Sequence, residues 1–135
     1  MTDAIRPLGR RADLIVEDLG EEIVAYDELR DVACSLNATA ASVWRNCDGL
    51  RTVDDLVKVL HADVGEFADE DLVLVTLDRL HEQGLIDAGY EPRDPETARF
   101  SRRRFLATAG VAAVVALPVI EAVVAPSAAA ALSNK

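Results

Sequence analysis

The sequence predicts an α+β domain, strands first and helices after, followed by a tail of a different character. Short β-favouring runs at residues 14–16, 23–26 and 31–36 fill the first third of the chain. Helix-period segments closed by glycines fill the middle, and beyond Phe100 the composition turns basic and Ala/Val-rich. Strands grouped before helices fit segregated layers rather than a βαβ alternation.

Residues 1–11 are polar and charged and are broken by Pro7 and Gly9, so a loose arm without an export signal is expected there. The runs at 14–16 and 23–26 flank Asp18, Leu19, Gly20 and Glu21, a hairpin turn. Residues 31–36 alternate, with Val32, Cys34 and Leu36 on one face and Ala33 and Ser35 on the other. That period of two predicts a third, half-buried strand, last in a meander and with one backbone edge open to pairing.

Residues 39–46 are expected to form a short helix anchored by Val43 and Trp44 and ended at Asp48-Gly49. Thr52 is placed to cap the amide of Asp55 at the start of a helix over 53–60, whose stripe is Val53, Leu56, Val57 and Leu60. Residues 61–69 read as a polar link. A third helix over 71–83 carries Val73, Leu77 and Leu80 on its core stripe and stops at Gly84. Leu72, Leu74 and Val75 lie off that stripe, so this helix has more apolar surface than one core face needs. It either packs against the sheet or walls a groove beside the third strand, and periodicity leaves both open. Leu85 and Ile86 add a short strand or a lid on the core.

The chain has 135 residues, half of them apolar, enough for one modest core. Residues 1–100 hold 10 Lys and Arg against 23 Asp and Glu, whereas the remainder holds 4 against 1. The acidic head argues against a nucleic-acid partner, which needs clustered cations. Cys34 and Cys47 lack metal or redox spacing and make no disulfide framework, so a reduced, cytoplasmic head is expected. Neither His61 nor His81 has ligands at metal spacing, and Ser35, Thr39 and Ser42 stand in no recognisable triad order. The glycines are scattered singly and form no phosphate loop. The expected inventory is therefore no catalytic residue, no metal and no cofactor.

Leu36-Asn37, Thr39-Ala40, Val43-Trp44, Asp48-Gly49, Thr52-Val53, Leu80 and Gly84-Leu85 together resemble the PqqD-like family over about residues 14–86. These are recognition elements for the leader peptides of ribosomally made, modified natural products. The resemblance implies a winged-helix-like fold with a three-stranded antiparallel N-terminal sheet and three helices. It also implies that a leader adds as a strand beside the third strand, in a groove shared with the third helix. On this chain the peptide-binding residues would be Val32, Ala33, Cys34, Ser35 and Leu36, facing Val73, Leu74, Leu77, Asp78 and His81. The implied role is a chaperone that presents its peptide to a modifying enzyme, commonly a radical SAM protein.

Residues 91–100 carry Pro92 and Pro95 among charges and read as a linker after a domain over 1–90. Residues 101–135 then run basic, apolar and small. Ser101, Arg102, Arg103, Arg104, Phe105 and Leu106 resemble a twin-arginine translocation motif, with Ala107 where Lys is often seen. Arg102, Arg103, Phe105 and Leu106 would be its targeting residues. Residues 107–124 would form a hydrophobic helix attaching the domain to the inner face of the bacterial cytoplasmic membrane, with Lys135 beyond it; whether the tail is cleaved after Ala130 is left open by the sequence. Glu121 weakens such a span. The tail's alternatives are a helix folded back on the domain and a peptide substrate fused to its own recognition domain. Competing functions are a membrane-docked structural adaptor and a winged-helix DNA-binding regulator. The second would need more cations than Lys58 beside Asp54 and Asp55.

Overall fold

A computed structural model describes residues 4–124. In chain order the elements are β1 (Leu8–Gly9), β2 (Leu14–Asp18), β3 (Ile23–Asp27), β4 (Val32–Leu36), α1 (Ala38–Arg45), α2 (Val53–Asp63), α3 (Glu70–Glu82), β5 (Ile86–Ala88), α4 (Pro95–Ala109), a 3-10 helix (Val111–Ala116) and β6 (Ile120–Val124). The architecture is mixed α+β with antiparallel sheets.

Each of the four α-helices starts on a side-chain oxygen. Asn37 accepts from Ala40, Asp69 from Leu72 and Asp94 from Thr97, while Thr52 and Asp55 form a reciprocal capping box. Helix α2 runs on to Asp63, taking in part of the expected polar link. The predicted core stripe of α3 holds, because Val73, Leu77 and Leu80 are fully buried. They join Leu36, Val43, Trp44, Leu56 and Leu60 in one core between the helices and the sheet.

The main sheet corrects the expectation of three strands. Its order is β2-β3-β4-β6, all antiparallel, and the fourth strand comes from the tail. Ile23, Leu36 and Ile120 are register partners across β3, β4 and β6 and are all buried. This apolar row crosses the sheet and fixes the tail's register, since a one-residue slip would turn Ile120 outward. The N-terminal arm is also not loose. β1 pairs with β5, and the Leu8 position bridges to Asp48. Gly89, at φ 78°, lets the chain pass so close to Arg6 that a Cβ there would lie 2.1 Å from the Arg6 carbonyl oxygen.

The reading of residues 91–135 changes most. Six of the ten residues of the expected linker are helical, because α4 begins at Pro95 with Asp94 as its cap. The apolar stretch at 107–124 is not one helix. Gly110, at φ 93°, ends α4, Pro118 follows the 3-10 turn, and the β-branched run at 120–124 pairs as a strand. Among the described residues no helix is long and apolar enough to cross a membrane. The expected membrane-attaching helix is therefore absent from this region. Ala130, after which the sequence leaves cleavage open, and the far-side Lys135 lie outside the described residues.

Candidate functional site

The β4 edge that the alternation leaves open is filled by β6. Val32 to Leu36 pair in sequence with Val124 to Ile120. The Asn37 N–H donates to the Val119 carbonyl at 3.0 Å, which sets the ladder's alternation. Ser35 with Glu121 and Ala33 with Val123 are then the hydrogen-bonded pairs, while Leu36 with Ile120, Cys34 with Ala122 and Val32 with Val124 are the closer, non-bonded ones. The backbone groups of Ala33 and Ser35 point to β6, and those of Val32, Cys34 and Leu36 point back to β3.

The end of the edge is built around Asn37. Its Oδ1 accepts from the Ala40 N–H at 3.1 Å, and its Nδ2 donates to the Leu117 carbonyl at 2.9 Å. One side chain thereby starts α1 and holds the chain segment entering β6. Sequence reasoning gave the Asn37 side chain no part beyond the family resemblance; the cap was readable from the Asn before an apolar helix, the second contact was not.

Of the ten expected peptide-binding residues, the five on β4 form one continuous edge, with Cys34 and Leu36 buried and the others half-buried. The five on α3 are divided. Val73 and Leu77 are wholly inside the core, and Leu74 is half-buried. Asp78 and His81 border a cleft of about 440 Å³ between α3 and the chain from Pro92 to Arg102. Asp78 is engaged by that chain. Its Oδ2 accepts from Arg93 Nε at 3.0 Å and Nη2 at 2.8 Å, and its Oδ1 accepts from the Tyr90 hydroxyl. Burial, reinforced by the Asp78 contact, raises the Tyr90 phenol above its ordinary range. The surplus apolar face of α3 is thus covered from within the chain.

The expected targeting residues fall on α4. Phe105 is fully buried, its ring 6.2 Å from that of Phe67, and Ser101, one turn earlier, is buried with it and accepts from Arg93 at 2.7 Å. Leu106 is half-buried, whereas Arg102 and Arg103 are exposed. Arg104 grips Asp71 in the first turn of α3 with two bonds of 2.6 and 2.7 Å. That contact holds the Asp71 carboxyl below the usual carboxylate range. This helix reads as amphipathic, with Ser101 and Phe105 on its α3 face.

Neither of the two cysteines is a poised nucleophile. Burial raises the Cys34 thiol and pushes the Cys47 thiol up to about 12, so neither is a reactive thiolate. The Nε2 of His61 lies 2.6 Å from the Ala68 carbonyl oxygen. Among the described residues no group of His, Cys, Asp and Glu is arranged to hold a metal ion.

Residues 22–86 match the family described as Coenzyme PQQ synthesis protein D (PqqD). The matched span opens just before β3 and closes on the first residue of β5, so it contains β4 and α1 to α3 but neither α4 nor β6. Comparison with curated proteins and with solved structures returned no match. The family's members are non-catalytic, peptide-binding chaperones in the biosynthesis of ribosomally made, modified peptides. Residues 22–86, and with them the β4 edge, are thus similar to the PqqD family of peptide recognition elements.

Proposed function

We propose that this protein captures the leader of a ribosomally made precursor as a strand added to β4 and presents it to a modifying enzyme, a radical SAM protein being the kind expected. One observation carries the reading: β4 already accepts an antiparallel strand along its whole length, with an aliphatic side chain seated opposite Leu36. Backbone bonds from Ala33 and Ser35 supply affinity, and the Leu36 position supplies side-chain selection. Asp78 and His81 line the cleft between α3 and residues 92–102, so on this reading they and the half-buried Leu74 contribute only where the leader runs past β4 to α3, while Val73 and Leu77 act from beneath as core. On this reading the winged-helix-like frame serves a peptide rather than DNA, since α2 offers Lys58 alone beside Asp54 and Asp55.

The test is an NMR titration of the isotope-labelled full chain with the leader of the precursor encoded beside it. Shifts concentrated at Ala33, Ser35 and Asn37 are expected. A leader that binds while leaving those three amides unmoved would sink the added-strand mode.

A further inference from the structure

The strand on the β4 edge is the chain's own, and like the opposite edge β2 it is held with little burial. Central β3 buries Ile23, Ala25 and Asp27, three of its five residues. β6 buries only Ile120 and leaves the next four exposed. The segment that leads to it is similarly shallow: Val111 and Val115 are 83% and 82% exposed, and Ala113, Ala116 and Leu117 reach the core. By contrast α4 is pinned firmly through Phe105, the Arg93–Asp78 pair and the Arg104–Asp71 pair. Between the pinned helix and the shallow segment stands Gly110, at positive φ with nothing within 4 Å of where a Cβ would lie. Glycine has no Cβ to restrict its backbone angles, so this is the position at which the chain can turn most easily.

Resting on the strand-addition reading, we infer that residues 111–124 are a built-in stand-in for the leader, which holds the β4 edge until a leader of matching pattern displaces it. The contacts of the stand-in state that pattern. The ligand is an extended peptide antiparallel to β4, with a branched aliphatic residue opposite Leu36, where Ile120 sits. Its carbonyls one and three residues earlier accept from the Asn37 backbone and side chain, as those of Val119 and Leu117 do. Because the tail is tethered, it competes at high effective concentration without a partner. The leader's apparent dissociation constant is its intrinsic value divided by the fraction of chains with the edge open. A tail seated about nine-tenths of the time therefore weakens the leader about tenfold.

Two variants of the full chain test this. Glu121→Pro with Val123→Pro removes the two tail amides that bond to β4, at exposed positions. Val32→Cys with Val124→Cys places a disulfide at a close, non-bonded pair and locks the tail when oxidised. The probe is the fluorescently labelled leader of the neighbouring precursor, read by anisotropy. Expected are binding about tenfold tighter by the proline variant than by the parent, and binding by the locked variant that is lost on oxidation and restored on reduction. Equal leader affinity in parent and proline variant overturns the gate, and loss in the oxidised lock then leaves strand addition at β4 standing. Leader binding that survives oxidation overturns both. Should the proline variant fail to fold, the two redox states of the lock decide alone.

Discussion

The side chain of Asn37 joins the Ala40 amide, which it accepts at 3.1 Å, to the Leu117 carbonyl, to which it donates at 2.9 Å. The start of α1 and the seat of the tail are thereby one residue's work, and the two roles are chemically separable. Asn37→Asp keeps an oxygen for the cap but loses the donor and sets a carboxylate against a carbonyl. Global stability should change by less than about 1 kcal/mol, since Asp and Asn cap equally well. Amide exchange in β6 should quicken by about tenfold, a typical net worth of one hydrogen bond. Asn37→Ala, which loses both contacts, should also cost about 1 kcal/mol of global stability. Native-state hydrogen exchange beside urea denaturation measures the two effects independently.

The sequence was most legible where local chemistry decides the outcome. The Thr52–Asp55 capping box, the Val73–Leu77–Leu80 stripe and the alternation of β4 each follow from periods and caps within a dozen residues. The tail was misread because its local signals conflict with its tertiary place. Residues 107–124 are apolar enough to suggest a span, yet Gly110 and Pro118 divide them, and the β-branched 119–124 run favours a strand once an open edge is available. Nothing local to Ile120 announces Leu36, which lies more than eighty residues away in sequence. Phe105 was similarly ambiguous. In a motif it looks like a targeting signal, and at i+4 from Ser101 it is a core anchor. The surplus apolar face of α3 was the one clue that something further along the chain would cover it.

Asp27 should dominate the acid limb of stability. Its buried carboxylate takes two bonds from Arg10, at 2.6 and 3.0 Å, and accepts from the amides of Leu29 and Arg30. The Arg10 contact, aided by those amides, holds its carboxyl below the usual range. A carboxyl so depressed gives its full stabilisation above the unfolded value of about 3.9 and loses it as the pH falls through the lower folded value. Asp27→Asn should therefore cost about 2 kcal/mol at pH 7. The gap to the parent should narrow below about pH 4, where the parent's own carboxyl takes up its proton. Urea denaturation at pH 7 and pH 3 checks both points, and a gap that widens at pH 3 contradicts the assignment.

Phe105 and its arginine neighbours separate a packing role from a signalling one. Phe105 is wholly buried against Phe67, so Phe105→Ala should cost about 3 kcal/mol, with loss of α4 docking as the first event. Arg102 and Arg103 are exposed, and replacing both with Lys should leave stability within about 0.5 kcal/mol. Thermal unfolding, together with proteolysis at the 91–94 segment, reports the difference. Resistance of the Phe105→Ala chain equal to that of the parent would mean that α4 is not held through this ring.

The directions of the β4 backbone groups give the sharpest contrast. Ala33 and Ser35 turn their N–H groups to the tail's side of the sheet, whereas Cys34 turns its own to β3. In the chain whose tail carries Glu121→Pro and Val123→Pro, so that β6 no longer competes, Ser35→Pro should spare the β3–β4 pairing and weaken leader binding about tenfold, because one backbone donor to the added strand is gone. Cys34→Pro should break the β3 ladder beside the fully buried Leu36 and unfold the domain. His61→Ala, at an exposed position on α2, should leave leader affinity unchanged. Circular dichroism establishes which variants fold, and leader titration of the folded ones tests the pairing. If Ser35→Pro folds and binds as tightly as His61→Ala, the leader does not pair along β4.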